Sequence, residues 1–319
     1  MGVVLKYLLD FVDTGLKVSN DLFQATILLD AEVKIDMRRG SAGTQFELKL
    51  FDLPQSEVTK IEERLKTRQP FQIKVKLGYM DTFSSSDFQQ VVDGFFKSIE
   101  RKIDSNREVT TIKGQERVTH LLTEAKIDFS VDENATAQTA ANGVLQRASV
   151  ATDAASVHLE GTVGHRRLTG TAIEVLDGIA YDAGAELLVS EGKVNLGRPI
   201  ADDGYQRSPF SIETNLAEFR PFTKSLPADN DTTLPAATPA ADAVGFRFII
   251  TGDPKLRPAH PIFVDVDAEG YKTTQFRVHT LVHSMSLEGG YVCEGVALGK
   301  FPVIAPHEFA RRVVAQRLF

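Results

Sequence analysis

The sequence predicts an α+β chain that is mainly β, with two related β domains flanking a mixed α/β insertion. Three observations predict it. Apolar and polar residues alternate strictly in the outer thirds, most cleanly where Phe71, Ile73, Val75 and Leu77 are separated by Gln72, Lys74 and Lys76. The middle is rich in Ala and carries an apolar stripe of helical spacing at Ile173, Leu176, Ile179 and Ala180. The order of features in the first third recurs in the last.

The first β domain is expected over residues 1–118. Residues Leu22 to Asp36 are rich in β-compatible side chains, and Phe46, Leu48 and Leu50 alternate with Glu47 and Lys49. Pro54-Gln55-Ser56-Glu57 opens a helix whose apolar face is Val58, Ile61 and Leu65. The strand from Phe71 ends at Gly78-Tyr79. Val91 to Ile103 and Val109 to Gly114 read as a long hairpin turned by Asp104-Ser105-Asn106.

The insertion is expected over residues 119–205. Ala135 to Ala155 contains a helix with Asn142-Gly143 inside it. A second helix is capped by Thr169 and stopped by Gly184. Leu187-Leu188-Val189, a Ser190-Glu191-Gly192 turn and Val194-Asn195-Leu196 form a small hairpin.

The second β domain covers residues 206–319. It contains a Pro- and Ala-rich loop at 226–243 and strands at Phe246 to Ile250, Ile262 to Val266, Phe276 to Leu287 and Tyr291 to Leu298. Pro306 suits a first helical position. The helix it starts carries Phe309, Ala310, Val313, Val314 and Leu318 on one stripe. An apolar stripe running into a chain terminus points to a contact surface, so Phe309, Val313, Leu318 and Phe319 are the candidate interface residues. The repeat aligns Gly78-Tyr79 with Gly270-Tyr271, and Phe96 to Ile99 with Val282 to Met285.

Composition narrows the function. Hydrophobic residues make up 42% and charged residues 25%, enough to build folded cores. A net charge of −7 opposes a general grip on nucleic acid. The lone cysteine, Cys293, excludes an intrachain disulfide and reads as a small buried hydrophobe in a strand. There is no secretory signal and no apolar run long enough for a membrane anchor, so the chain is expected to be made and folded in a cytoplasm. No phosphate-binding loop, nucleophile elbow, Cys-x-x-Cys pair or His-Glu-x-x-His helix occurs. His279 and His283 share a strand face in this reading and are expected at a surface or interface rather than on a metal. His165-Arg166-Arg167 is a solvated basic spot or a contact for an acidic partner. No catalytic residue, metal ligand or cofactor is assigned, and the chain is read as a non-enzyme.

Two stretches carry a resemblance. FELKLFDLPQSEVTKIEERLKTRQPFQIKVKLGY, followed by VVDGFFKSIERKIDSNREVTTIKGQE, resembles the first tube-like domain of phage baseplate hub proteins. That group includes the late-control protein D family and the hub portion of VgrG. The run Thr251-Gly252-Asp253-Pro254-Lys255-Leu256-Arg257-Pro258, with the later FRVHTLVHSMSLEGGYVCEGVAL, is similar to the second tube domain. The residues carrying the likeness are Gly78, Tyr79, Gly252, Asp253, Pro254, Leu256 and Pro258. Many members end the latter run in Gly, where this chain has Ala259-His260.

The resemblance implies two tube-like β-barrel domains per chain and a homotrimer. Such a trimer is a pseudo-hexameric ring between a tail tube and a spike. The implied partners are the tail tube protein or a tube-initiating ring, a central spike protein, baseplate wedge proteins and the tape-measure protein. The implied location is a virion tail baseplate or an extracellular phage-tail-like particle. No glycine-rich β-helical extension follows the second domain, so the spike is expected to be a separate chain. A β-rich carbohydrate-binding protein is the alternative, opposed by the absence of Trp and the presence of only six Tyr. A wall hydrolase of the tail tip is a third, and needs a carboxylate pair in a cleft.

Overall fold

The computed structural model describes residues 5–67, 70–79, 88–104, 107–197, 210–224, 243–266 and 276–300. The Pro- and Ala-rich loop up to residue 242, Gly270-Tyr271, and the helix expected from Pro306 with Phe309, Val313, Leu318 and Phe319 lie outside them.

Alternation becomes strand where it was strongest. The first part contains β1 (Leu5–Phe11), β2 (Leu16–Ser19), β3 (Ile27–Leu28), β4 (Ala31–Arg38), β5 (Thr44–Phe51), α1 (Gln55–Lys66), β6 (Phe71–Tyr79), β7 (Phe88–Asp104) and β8 (Arg107–Glu116). Phe71, Ile73, Val75 and Leu77 on β6 are all fully buried, because period-two spacing sends them to one face. Helix α1 begins directly after Pro54 and buries Val58 and Ile61. Strands β7 and β8 form the long hairpin, paired from Gly94–Glu116 out to Asp104–Arg107.

The insertion builds a core of its own. It holds α2 (Arg117–Glu124), β9 (Lys126–Val131), α3 (Ala137–Arg147), β10 (Ala155–Val157), β11 (Arg166–Thr171), α4 (Ala172–Asp182), β12 (Glu186–Ser190) and β13 (Lys193–Gly197). Thr171 rather than Thr169 caps α4. Thr169 is still in β11 opposite Asp128, whereas Thr171 has Glu174 three residues on and completes a capping box. Gly184 ends the helix at φ +63°, as its type suggested.

The last part contains β14 (Phe210–Ser211), β15 (Leu216–Lys224), β16 (Ala243–Thr251), β17 (Pro261–Ile262), β18 (Val264–Asp265), β19 (Phe276–Ser286) and β20 (Gly290–Lys300).

The expectation of two tube-like β-barrels is corrected by the strand pairing. Among the described residues no sheet closes on itself. One thirteen-stranded sheet runs in the open order β15-β16-β20-β19-β4-β5-β8-β7-β6-β1-β2-β3, with β17 beside β19. Closure requires the first and last strands of a unit to pair with each other. Here β19 commits that edge to β4 of the other half, antiparallel from Thr280–Arg38 to Met285–Val33. One hydrophobic core accordingly runs through both halves, from Tyr7 and Phe71 to Phe246 and Ala297.

The order contains a duplication. The set β4-β5-β8-β7 has the same order as β15-β16-β20-β19. Each final hairpin carries a register break at the same place, between Phe96 and Ser98 on β7 and between Val278 and Thr280 on β19. Phe46 lies opposite Gly114 in one set and Phe246 opposite Ala297 in the other. These breaks match Phe96 with Val278, four residues from the alignment that sequence spacing suggested.

Candidate functional site

The two stretches that carried the resemblance meet at one seam. Strand β6 ends at Tyr79, whose hydroxyl donates to the Gly252 carbonyl at 3.0 Å. The Tyr79 ring lies 5.9 Å from that of Tyr291 on β20. Gly252 is required there, since a Cβ would sit 2.2 Å from the Tyr291 ring. The loop that follows β16 is folded by its own side chains. Asp253 accepts from the Lys255 backbone N–H at 3.0 Å, and Leu256 is fully buried. Pro258 lies in the wall of a cleft described below.

Arg257, not singled out in the sequence, is the centre of this loop. It is 3% exposed. Its Nη1 donates to the carbonyls of Pro254 at 2.7 Å and Leu256 at 2.8 Å. Its Nη2 reaches Gln90 O on β7 at 3.1 Å, and its Nε lies 3.3 Å from Glu191 on the β12–β13 turn. One guanidinium thus ties both β halves to the insertion. The available signal was an arginine inside an apolar, proline-bounded run.

Ala259 takes φ +70°, a backbone conformation that favours glycine. It is held there because its N–H donates to Val278 O at 2.7 Å and its carbonyl accepts from Arg277 Nη1 at 2.7 Å. Many members of the resembling family end this run in Gly, and an alanine held at this φ carries a strain that glycine avoids.

Beneath the loop lies a sealed polar cluster. His283 Nδ1 is 2.9 Å from the Tyr291 hydroxyl and 3.2 Å from Cys293 Sγ, and its Nε2 is 3.2 Å from Leu256 O. An Nε2–H donating to Leu256 leaves Nδ1 to accept from Tyr291. His283 and Cys293 are fully buried, and burial pushes the imidazole down to about 3, so it is neutral. Burial also holds the Tyr291 hydroxyl well above its ordinary value. A thiol beside an imidazole is a nucleophile only where substrate can reach it and the base can take a proton. This pair pins a loop instead. The expectation of His279 and His283 on one surface face is therefore overturned. The break between Val278 and Thr280 changes the parity, which puts His283 inward with Leu281 and Met285. Among the described residues no cluster of His, Cys, Asp or Glu is placed to hold a metal.

Glu116, at the end of β8, is 3% exposed and accepts from the Gly192 N–H of the same insertion turn. Burial pushes its carboxyl up to about 7, opposed by the Gly192 hydrogen bond and the charge of Arg257. Beside it, a cleft of about 210 Å³ separates the insertion from the loop, walled by Arg39, His158, Lys193, Arg257, Pro258 and His260. Arg39 pairs with Glu186 across it. The basic spot at 165–167 is neutralised within the insertion, where Arg166 pairs with Asp182 and Arg167 grips Asp128 with two bonds of 2.6 Å. The seam can lock three units into one body. Its only thiol is shut away from solvent.

No protein-family model and no curated protein matches the sequence. Solved structures do. The chain is similar to the tail protein from Neisseria meningitidis MC58, with TM-score 0.61 and 11% identity over 93% of this chain and 97% of that one. It is similar to the 43 kDa tail protein of prophage MuSo2 from Shewanella oneidensis, with TM-score 0.60 and 12% identity over 93% and 98%. It is also similar to the E. coli c3393 protein, with TM-score 0.57 and 11% identity over 88% and 78%. That protein is described as a component of the type VI secretion system, structurally similar to the T4 bacteriophage tail proteins gp27 and gp5. What the chain shares with all three is their fold, over most of its length.

Proposed function

We propose that the chain is the structural hub of the baseplate of a contractile phage tail or phage-tail-like injection particle. Three copies form a pseudo-hexameric ring that joins the tail tube to a central spike. The observation that carries this reading is the duplicated four-strand set, joined to its twin through β19 and β4. A six-fold tube presents one surface six times, and three copies of a duplicated chain answer it with six equivalent sets. The fold shared with tail proteins supports the same reading. The role is mechanical: the seam around Arg257 holds the sets and the insertion at fixed angles, as a collar under axial force requires. Contacts with a tube-initiating ring, wedge proteins and the tape-measure protein belong to this proposal. So does a place in the extracellular particle after assembly in a bacterial cytoplasm. The stripe of Phe309, Val313, Leu318 and Phe319 is the proposed grip on the spike or a neighbouring copy. Native mass spectrometry of the chain co-expressed with its spike tests the reading. Three copies per complex are expected; a stable dimer, or a monomer in the presence of spike, refutes it.

A further inference from the structure

We infer that neighbouring copies join head to tail by pairing the far half of β7, Ser98–Asp104, with β15 of the next copy. The inference rests on the ring reading above and adds the strands and register of the joint. Within one chain, the last strand of the second set, β19, pairs with the first strand of the first set, β4. The corresponding last and first strands of the duplication are β7 and β15. Pairing of β7 with β6 ends at Phe96, and beyond the break β8 is its strand partner among the described residues. Strand β15 ends the sheet order, with β16 as its described strand neighbour. The molecule therefore contains one copy of this joint already made and both halves of a second.

The duplication also supplies the register. The breaks match Ser98 with Thr280 and Ile103 with Met285. Phe46 matched with Phe246 places Pro221 with Ile35 and Arg220 with Lys34. Copying the β19–β4 ladder then gives an antiparallel joint with Ser98 opposite Lys224, Lys102 opposite Arg220 and Ile103 opposite Phe219. Side-chain parity agrees. Ile99 and Phe219 both pack against the core side of the sheet, and the Phe219 ring lies tilted, 5.0 Å from that of Phe246. Ile103 is 81% exposed in the isolated chain, a costly position for a large aliphatic side chain, and the joint covers it with Phe219. On the other face Glu100 falls diagonal to Arg220, and Lys102 diagonal to Glu218, so opposite charges sit within reach. Lys102 facing Arg220 opposes the joint, and Pro221 omits one donor. A proline and paired charges on an edge also discourage indiscriminate strand addition. A joint between two different surfaces repeats head to tail and ends only when the ring closes.

The test uses the full chain as Lys102→Cys/Arg220→Cys under mild oxidation, read on a non-reducing gel. Cα atoms of facing residues lie in the range a disulfide needs. The expected result is covalent oligomers that stop at the ring size, about tenfold or more above the yield from Lys102→Cys/Pro221→Cys, whose second thiol points to the opposite face. A chain of ring mass that gives no such cross-link overturns the joint and spares the ring. A chain that is monomeric under all conditions, spike included, overturns both.

Discussion

Replacing Glu116 by Gln should abolish the weakening of the seam as pH rises towards 8. The carboxyl sits at the end of β8, 3% exposed, with one oxygen on the Gly192 N–H. Burial raises its pKa from 4.5 to about 7. The folded chain then binds this proton more tightly than the unfolded chain. Between pH 4.5 and 7 the folded state holds more of it, so the contribution of Glu116 to stability falls as pH rises through that window. At 1.36 kcal/mol per pH unit, the ionised carboxylate costs the fold about 3 kcal/mol at pH 8. The amide of Glu116→Gln is neutral at every pH, and its carbonyl can accept the same N–H. Urea unfolding of both proteins at pH 5 and pH 8 isolates the effect, because the amide substitution itself contributes equally at both. His283 titrates in the opposite sense: its folded pKa of about 3 means stability is lost as pH falls below its unfolded value near 6.5. That loss is common to both proteins and cancels. Because the unfolded carboxyl is already mostly ionised at pH 5, the Glu116→Gln protein should gain about 2.5 kcal/mol on wild type between pH 5 and pH 8. Parallel pH profiles would show that Glu116 is hydrated and that the seam is open there.

Other perturbations follow from the same contacts. Ile73→Asp places a carboxylate at a fully buried position on β6 and should cost several kcal/mol, enough to unfold the first β half, whereas Lys74→Ala should leave the thermal transition unmoved. An unchanged melting profile for Ile73→Asp would show that the strand register is wrong. Arg257→Met removes the donors to Pro254, Leu256 and Gln90 and should cost about 3 kcal/mol in urea unfolding; a loss under about 1 kcal/mol would show that the loop holds without it. Ala259→Gly relieves the φ of +70° and should raise stability by about 0.5–1 kcal/mol, the left-handed cost less the added freedom of the unfolded chain. A destabilised Ala259→Gly protein would mean the Ala259 methyl contributes packing that outweighs its strain.

The sequence by itself determined the strands where alternation is strict, β5 and β6, together with the long β7–β8 hairpin, whereas β1, β2, β9, β11 and β15 carried no such signal. Phe71 to Leu77 are inward because period two leaves no other choice, and α1 starts where Pro54 allows it. Gly78-Tyr79 and Gly252 to Pro258, the stretches that carry the resemblance, lie far apart in the sequence and are joined through Tyr79 and Gly252 only in the fold. Alternation says which side of a strand is wet; it says nothing about which strand lies along its edge. Backbone N–H and C=O groups are the same in every residue, so the pairing of β19 with β4, and with it the open sheet in place of two barrels, was decided by the packing of whole units. One extra residue at the β19 break was enough to carry His283 inward, and a local pattern cannot reveal such a break. Arg257 and Glu116 are polar residues whose burial depends on chain segments up to 167 positions away. Their roles come into being only when the insertion closes over the loop and takes the water away.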